Sequence, residues 1–459
     1  MGYLQIWLLI PYSNLVLRRI FMENSVKKTD AVKCLSQLFD DGIFTEIDAF
    51  AKSADGNVEV VAGFGTVGGV SAYAFSQDIS VNDGAIGTSQ CSKILKIYDL
   101  ASKTGCPVVG VYNSNGVKLN EGFEAISAYG EIVKAATAVS GVVPQISIIN
   151  GSCLGASALM ANMADVVVAV KNSDFYISAP SDASIDDAYN AGIVDVLADD
   201  FESAAVEAKK IISLLPSNNL SVVPMFEFNA PDVFCAEGMD AKAVIQAIAD
   251  SSSFVELKAG YASNLVTAFG TVAGSTVGFI AFDGESLCPM CACKAEAMIK
   301  LCDAYNIPIV TVADTKGISK DKEQQMLIAA TKLTSSYAAA TCPKISLVTG
   351  QAIGSAYIIL AGKGANADLA FAWDCSVVSP LDVEASVAFL YNDRLAKGED
   401  RTALEQEYKE TIGSPFTAAA CGAVDDVFAP QETRAKIIGA LDMLSGKREN
   451  TIPRKHSVK

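Results

Sequence analysis

Histidine is almost absent from this sequence. The 459 residues include one, His456, which lies in a polar C-terminal tail. Serine and cysteine hydrolases use a histidine as the base, and zinc hydrolases use histidines as metal ligands. The composition therefore nearly excludes these mechanisms. Any reaction must depend on backbone donors, carboxylates, lysine, tyrosine, cysteine or the substrate itself.

Basic charge, phosphate loops and long apolar runs are also scarce. The chain has 35 Lys and Arg against 52 Asp and Glu, and its net charge of −17 argues against nucleic acid as a partner. No Walker-type phosphate loop is present, and the glycines of 64–69 lack the context of a dinucleotide-binding turn. The apolar run at 3–12 has about half the length of a membrane-spanning helix. We interpret residues 1–29 as an N-terminal extension, whose part before Met22 is either not native or a poorly packed arm.

The 12 cysteines, without a secretory signal, indicate a reducing compartment and predict a cytoplasmic protein. Four of them fall close enough together to suggest a metal site: Cys288, Cys291, Cys293 and Cys302. Their spacing is not the paired spacing of zinc sites, and Pro289 predicts a helix start among them. We therefore predict no metal. Three others lie in apolar runs and are expected in the core: Cys153, Cys342 and Cys421.

The chain contains one stretch twice. VPQISIINGSCLGASAL at 143–159 returns as CPKISLVTGQAIGSAYIIL at 342–360. Gly155 aligns with Gly354, 199 residues later (354 − 155), and the tetrapeptide FGTV also occurs once in each half. A period this long indicates two homologous domains rather than a solenoid.

Domain boundaries follow from the repeat and from a segment rich in proline and asparagine that has no helical period. Strand and helix patterns alternate in both halves, which predicts an α/β fold of stacked ββα units. The predicted divisions are an N-terminal extension (1–29), an N-terminal domain (30–215), a linker (216–231), a C-terminal domain (232–444) and a polar tail (445–459).

Each copy of the repeat predicts a buried strand, a glycine turn and a helix. In the first copy, the strand starting at Gln145 is expected to break at 150–152. Free N–H groups at a helix start favour an anion or a developing oxyanion. The candidate donors are the N–H groups of Gly155, Ala156, Ser355 and Ala356. The alternative is that these small residues only permit close packing of helix on strand.

A polar loop, 113–122, follows the buried strand pattern of 108–112. Ligands of open α/β sheets bind where strands end. Lys118 in this loop is either a contact for a phosphate or a solvated surface charge.

Together, the motifs resemble the carboxyltransferase subunit of biotin-dependent acyl-CoA carboxylases and decarboxylases, of the propionyl-CoA carboxylase beta and methylmalonyl-CoA decarboxylase alpha type. The resemblance implies an α/β fold of two tandem crotonase-like ββα superhelical domains. The motifs that carry it are LFDDGIFTEIDAF, GFGTVGGVSAYAFSQD, KIYDLASKTGCPVVGV, EGFEAISAYGEI, SGVVPQISIINGSCLGASAL, KAEAMIKLCDAYNIPIVTVAD, PKISLVTGQAIGSAYI and GAVDDVFAPQETR.

The resemblance implies a reaction that needs no histidine. Carboxybiotin would lie in the C-terminal domain of one subunit and acyl-CoA, as propionyl-CoA or methylmalonyl-CoA, in the N-terminal domain of a neighbour. The N–H groups of Gly155 and Ala156 would polarise the thioester carbonyl as the enolate forms. Those of Ser355 and Ala356 would stabilise the ureido oxygen of biotin. A biotin nitrogen would take the α-proton.

The resemblance also implies binding residues and partners. The expected contacts for acyl-CoA or biotin are Ser114, Gly116, Lys118, Gly151, Gly354, Tyr357 and Ile358. Biotin would come on a separate biotin carboxyl carrier protein, because this chain lacks the Met-Lys-Met motif of a carrier. Biotin carboxylase or membrane decarboxylase subunits would complete the assembly around a homo-oligomer, a hexamer.

Some positions depart from the family pattern. The family usually has Asp-Ser-Gly-Gly-Ala-Arg where this chain has 113–118, Gly-Gly where it has Gly155-Ala156, and a longer loop after Asp314. These departures leave two alternatives open. One is a catalytically silent paralogue that serves as a structural or CoA-binding subunit. The other is a biotin-independent crotonase-type hydratase or decarboxylase with Glu121 or Glu124 as its base.

Overall fold

The computed structural model describes residues 29–178, 181–360, 362–365 and 367–449. The predictions for residues 1–28 and for His456 lie outside the described residues. None of the described helices combines the length and the apolar character that crossing a bilayer requires.

Two eight-stranded sheets form the framework, and they have the same topology. In the N-terminal sheet the order is β1-β2-β3-β4-β5-β6-β8, with β7 beside the end of β5. Its strands are β1 (Phe44–Ile47), β2 (Val60–Val67), β3 (Val70–Gln77), β4 (Val108–Ser114), β5 (Gln145–Leu154), β6 (Val166–Val170), β7 (Asp174–Tyr176) and β8 (Val196–Ala198).

The C-terminal sheet repeats this arrangement as β9-β10-β11-β12-β13-β14-β16, with β15 beside the end of β13. In both sheets the first three strands pair antiparallel and the later ones parallel. The strands are β9 (Val255–Leu257), β10 (Leu265–Val272), β11 (Ser275–Phe282), β12 (Ile309–Thr315), β13 (Lys344–Ile353), β14 (Leu369–Trp373), β15 (Val377–Ser379) and β16 (Asp426–Phe428). The predicted fold class, α/β with two tandem ββα domains, is confirmed.

The α-helices pack against these sheets. In chain order they are α1 (Asp30–Leu38), α2 (Thr88–Thr104), α3 (Phe123–Val139), α4 (Ala156–Ala161), α5 (Ile185–Asn190), α6 (Phe201–Leu214), α7 (Ala241–Ile248), α8 (Pro289–Ala304), α9 (Glu323–Ala339), α10 (Gly354–Leu360), α11 (Val383–Leu390), α12 (Asn392–Ala396), α13 (Arg401–Glu410), α14 (Pro415–Ala420) and α15 (Thr433–Leu444). Among these, α2 and α8 occupy equivalent positions after the first hairpin of each sheet.

The repeat extends to buried polar contacts. Lys93 of α2 is buried and donates to the carbonyl of Val60, the first residue of β2, at 3.0 Å. Lys294 of α8 does the same for Leu265, the first residue of β10, at 2.6 Å. Burying an ammonium group without hydrogen-bond acceptors costs free energy. Both halves supply the acceptor in the same way, with the carbonyl of the first residue of the first long strand.

The sequence suggested that the strand beginning at Gln145 breaks at 150–152, but this prediction is wrong. β5 continues to Leu154, but it changes neighbours. Residues 146–149 pair with β6, whereas 152–154 pair with β7. The polar residues between them therefore mark a change of partner, which local periodicity cannot distinguish from a strand end.

Of the three cysteines predicted to lie in the core, two are buried and one is exposed. Cys153 and Cys342 are buried in the core as expected. Cys421 is exposed, so its predicted core position is wrong. It follows the short helix α14, where the alanine-rich run lies largely at the surface rather than under a sheet.

Polar contacts between the two halves include two that involve buried carboxylates. The Tyr305 hydroxyl, at the end of α8, donates to the Asp165 carboxylate at 2.7 Å, and this carboxylate also accepts from the Gln145 N–H at 2.9 Å. Lys258 forms an ion pair with the buried Asp195 at 3.0 Å. Burial raises the pKa of Asp165 to about 6.

We expect the Asp165 contact to make stability depend on pH. The unfolded carboxyl loses its proton near pH 3.8, whereas the folded one keeps it to about pH 6. The free energy of unfolding should therefore fall as pH rises through this window. A tenfold change in proton affinity is worth about 1.4 kcal/mol, so this fall is about 3 kcal/mol. Asp165→Asn should remove it, as measured by urea denaturation at a series of pH values.

Tyr305→Phe is the matched variant. It keeps the carboxyl group but removes a hydrogen bond that lowers the pKa of Asp165. The decline in stability should then extend above pH 6. An Asp165→Asn profile as steep as that of the wild type would contradict this assignment.

Candidate functional site

The turn between β5 and α4 holds the first pair of candidate donors. Gly155 has φ 59° and ψ −122°, a conformation that side chains disfavour. Its N–H donates to the Tyr176 carbonyl of β7 at 3.1 Å. Ala156 is the first residue of α4, so its N–H has no acceptor within the helix. In this structure the donors available at the turn are therefore Ala156 and the residue after it, and Gly155 would have to exchange an existing bond.

Ala156 replaces the second glycine of the family pattern without strain. Its φ is not positive, since it adopts helical geometry. The penalty that a left-handed conformation would impose on alanine does not arise.

The turn between β13 and α10 is the second copy. Gly354 has φ 56°, close to that of Gly155, and it is the first residue of α10. Ser355 is exposed and Ala356 is buried, and both belong to the first helical turn. The Tyr357 hydroxyl donates to the Ala423 carbonyl at 2.9 Å, which fixes this ring beside the turn.

Each turn opens onto a cleft. The N-terminal cleft, of about 550 Å³, is lined by Asp55, Asn82, Asp83, Ala85, 115–120, Gly155 and Ala156. The C-terminal cleft, of about 470 Å³, is lined by Gly354, Ser355, Tyr357, Ile358, Val378, Ser379, Pro380 and Ala423. Ile358 is 53 % exposed at the C-terminal cleft. Both Gly155 and Ala156 thus line the N-terminal cleft, whereas of the second pair Ser355 lines the C-terminal cleft and Ala356 is buried behind it.

The loops that follow β4 and β12 support these turns in the same way. The Ser152 N–H donates to Asn113 Oδ1 at 3.2 Å, and the Gln351 N–H donates to Asp314 Oδ1 at 2.8 Å. Gly151, the neighbour of Ser152, packs so closely on Asn113 that a Cβ would lie 2.6 Å from its Oδ1. Asparagine in place of the family's aspartate keeps the acceptor that the turn needs.

Ser114 shapes the loop from inside rather than facing the cleft. It is fully buried, and its Oγ accepts from the Gly116 N–H at 3.0 Å. The Tyr129 hydroxyl donates to the Gly116 carbonyl at 3.0 Å. Thr315 accepts from the Gly317 N–H at 3.3 Å in the second copy. Contact of Ser114 or Gly116 with a ligand stays a prediction.

Lys118 is neither a solvated charge nor a free cation. It is 6 % exposed, and its ammonium pairs with Asp55 at 2.7 Å and with Glu59 at 2.8 Å. Glu59 is fully buried and also accepts from Asn82 at 2.6 Å and from Ser53 at 2.7 Å. Lysine lowers the pKa of Asp55 by a direct hydrogen bond. Sequence analysis missed both acidic partners, because they lie 63 and 59 residues upstream.

The four cysteines near α8 do not converge. Cys288 and Cys291 are adjacent, whereas Cys293 is exposed and Cys302 is buried further along the helix. Within the described ranges, no group of three or more histidine, cysteine or acidic side chains is arranged to hold a metal ion.

The sequence matches those of known proteins. The model of the carboxyl transferase domain family matches residues 24–186 and 183–458. The chain is 33 % identical over 500 residues to the propionyl-CoA carboxylase beta chain of Saccharopolyspora erythraea, covering 96 % of this chain and 92 % of that one. It is 31 % identical over 490 residues to the methylmalonyl-CoA carboxyltransferase 12S subunit of Propionibacterium freudenreichii subsp. shermanii, covering 96 % and 93 %.

A solved structure has the same fold. The crystal structure of a transcarboxylase 12S hexamer, with methylmalonyl-coenzyme A and methylmalonic acid bound, superposes with a TM-score of 0.88 at 30 % identity. The match covers 97 % of this chain and 98 % of that one.

We expect Lys118→Met to destabilise the fold by about 3–5 kcal/mol, because it leaves the buried Glu59 without its counter-charge. Urea denaturation measures this loss. The double variant Lys118→Met, Glu59→Gln should recover much of it. Lys103→Met, which breaks an exposed pair with Asp99, is the control and should cost less than about 1 kcal/mol. A Lys118→Met protein of normal stability that bound acyl-CoA poorly would instead assign Lys118 to the ligand.

Proposed function

We propose, since this chain belongs to the carboxyl transferase domain family, that it transfers a carboxyl group between biotin and an acyl-CoA of the propionyl-CoA and methylmalonyl-CoA type. The relatives named for these substrates support the choice of acyl-CoA. The observation that carries the proposal is the pair of equivalent strand-to-helix turns, each of which lies at the edge of a cleft.

The backbone donors of the two clefts have different roles in the proposed reaction. Biotin, carried on another protein, supplies the carboxyl group and a ring nitrogen that can take the α-proton. In the N-terminal cleft, the N–H of Ala156, with that of Gly155 if it leaves Tyr176, polarises the thioester carbonyl as negative charge develops. In the C-terminal cleft, the N–H groups of Ser355 and Ala356 bind the ureido oxygen. Each such donor is worth about 3–4 kcal/mol of transition-state stabilisation.

A shared site between subunits forms part of the proposal. Leu119 and Phe123, beside the N-terminal cleft, are 90 % and 88 % exposed. Leu327, in the equivalent helix α9 of the second half, is 70 % exposed, and Ile358 lines the C-terminal cleft. Exposed apolar side chains at both clefts are typical of surfaces that another subunit covers. The hexamer of the 12S neighbour supports a hexamer here.

The structure favours an active enzyme over a silent paralogue. Asn113 keeps the hydrogen bond of the turn, and Ala156 adopts an unstrained conformation. The lysine at 118 keeps a cation where the family has arginine, held by two carboxylates. The departures at Asn113, Ala156 and Lys118 are therefore compatible with an intact turn and loop.

The biotin-independent alternative has less support. The Glu121 carboxylate accepts from the Thr88 N–H at 2.7 Å and from its hydroxyl at 3.0 Å, at the start of α2. It serves as a helix cap there rather than as a free base. Glu124 is exposed in the first turn of α3.

A carrier protein and a cytoplasmic location complete the proposal. The chain would receive biotin on a separate carboxyl carrier protein and work with biotin carboxylase or with membrane decarboxylase subunits. All 12 cysteines are free thiols, which fits a reducing compartment.

The first test is transcarboxylation with the purified protein. We expect biotin-dependent loss of the carboxyl group from methylmalonyl-CoA, with malonyl-CoA and glutaconyl-CoA as the comparison substrates. Turnover without biotin would support the crotonase-type alternative. A well-folded oligomer that turned over none of them, even with a biotinylated carrier protein, would support the silent paralogue.

The second test removes one amide hydrogen. Proline is tolerated at the first position of a helix but has no N–H, so Ala156→Pro deletes the donor while keeping the helix start. We expect kcat to fall about 100- to 1,000-fold. Ala156→Gly is the matched control, because it keeps the N–H and restores the family's Gly-Gly, and it should stay near wild-type kcat. An Ala156→Pro oligomer with wild-type kcat would disprove this role.

A further inference from the structure

Cys288 and Cys291 hold their sulfur atoms together at the start of α8. Cys288 is the N-cap residue, Pro289 begins the helix, and the two Sγ atoms are 2.7 Å apart. The Cys291 N–H donates to the Cys288 sulfur at 3.2 Å. A disulfide bond is about 2.05 Å long, so closure requires the sulfurs to approach by well under an ångström.

The two thiols differ in a way that suits stepwise exchange. Cys288 is partly exposed, whereas Cys291 is fully buried, with Asn264 Oδ1 3.1 Å from its sulfur. Hydrogen bonds from the Cys291 thiol and from backbone N–H groups lower the pKa of Cys288 to about 6. The same contact and burial raise the pKa of Cys291. Cys288 is thus the accessible thiolate and Cys291 the protected thiol beside it.

The fold itself does not need these cysteines. Lys93 and Lys294 occupy equivalent positions 201 residues apart (294 − 93), which places Gly87 opposite Cys288 and Gln90 opposite Cys291. The N-terminal half builds the equivalent helix start with no sulfur at either of these two positions, since Gly87 is the N-cap of α2 and Gln90 lies in its first turn. The sulfur pair is therefore an addition to one copy of a shared structure.

We propose that Cys288 and Cys291 form a redox-active dithiol that exchanges with low-molecular-weight disulfides. The Cys288 thiolate attacks one sulfur of the disulfide, forming a mixed disulfide and releasing one thiolate. The Cys291 thiol then loses its proton and attacks the Cys288 sulfur, which forms the Cys288–Cys291 bond and releases the second thiolate. From this thiolate–thiol form the protein loses two electrons and one proton, the proton passes to a released thiolate, and the small disulfide is reduced to one thiolate and one thiol.

The pair adjoins the loop that supports the C-terminal cleft. The N–H of Leu287, next to Cys288, donates to the Gly317 carbonyl at 2.8 Å, and the Ser319 N–H donates to the Leu287 carbonyl at 3.0 Å. Gly317 packs beside Ile353, the residue before Gly354. The dithiol therefore lies next to the loop that supports the proposed biotin-binding cleft.

Equilibration of the full-length protein in glutathione buffers of increasing oxidised fraction tests the proposal. After acid quenching and alkylation under denaturing conditions, the tryptic peptide 259–294, which contains three cysteines, is analysed by mass spectrometry. We expect a single transition to a form with a Cys288–Cys291 disulfide and only Cys293 alkylated, reversed by excess dithiothreitol.

Three variants assign the roles of the thiols. Cys288→Ser should abolish the transition, and Cys291→Ser should accumulate glutathione on Cys288. Cys421→Ser, at an exposed cysteine elsewhere, should leave the transition unchanged. Three outcomes would overturn the proposal. They are a wild-type peptide that stays fully alkylated at the highest oxidised fraction, one that accumulates only the mixed disulfide, and purified protein with stoichiometric zinc on the pair.

Discussion

The proposed chemistry depends on one constraint, the fixed position of the backbone N–H groups at the starts of two short helices. Such donors do not titrate, and they stabilise developing charge only if the fold holds them in place beforehand. Gly155 and Gly354 allow the sharp change from strand to helix, and their φ values of 59° and 56° show that both turns are built alike. In a chain whose one histidine lies in the tail, the proposed chemistry would rest on these donors and so needs a rigid scaffold.

Rigidity comes from the neighbouring strand. Asn113 and Asp314 each hold the backbone of the adjacent β-strand through one carbonyl-type oxygen, a role in which an amide and a carboxylate are equivalent. Loop residues can therefore change in chemical character while the turn keeps its shape. This separation explains how a sequence can depart from its family in the loops and still fit the family fold.

Sequence analysis predicted the features that depend on local periodicity and on the internal repeat. These include the two tandem domains and the strand and helix of each repeat copy, although the turn between them lies at Gly155 rather than at 150–152. It could not predict that β5 exchanges β6 for β7, because the pattern of one strand does not identify its neighbours. Nor could it find the acidic partners of Lys118, since they lie 63 and 59 residues away in sequence and only the folded sheet brings them together.

The two strand-to-helix turns are alike, but the residues that line their clefts differ. The N-terminal cleft is bordered by amides and carboxylates, and the charge of Lys118 is already matched by Asp55 and Glu59. The C-terminal cleft is bordered by apolar side chains, including Ile358 and Val378. If both clefts use backbone donors, as we propose, these walls would decide which ligand each cleft accepts. The proposed recognition would then depend on neutral hydrogen bonds to a thioester in the N-terminal cleft and on apolar contact with a ring in the C-terminal cleft.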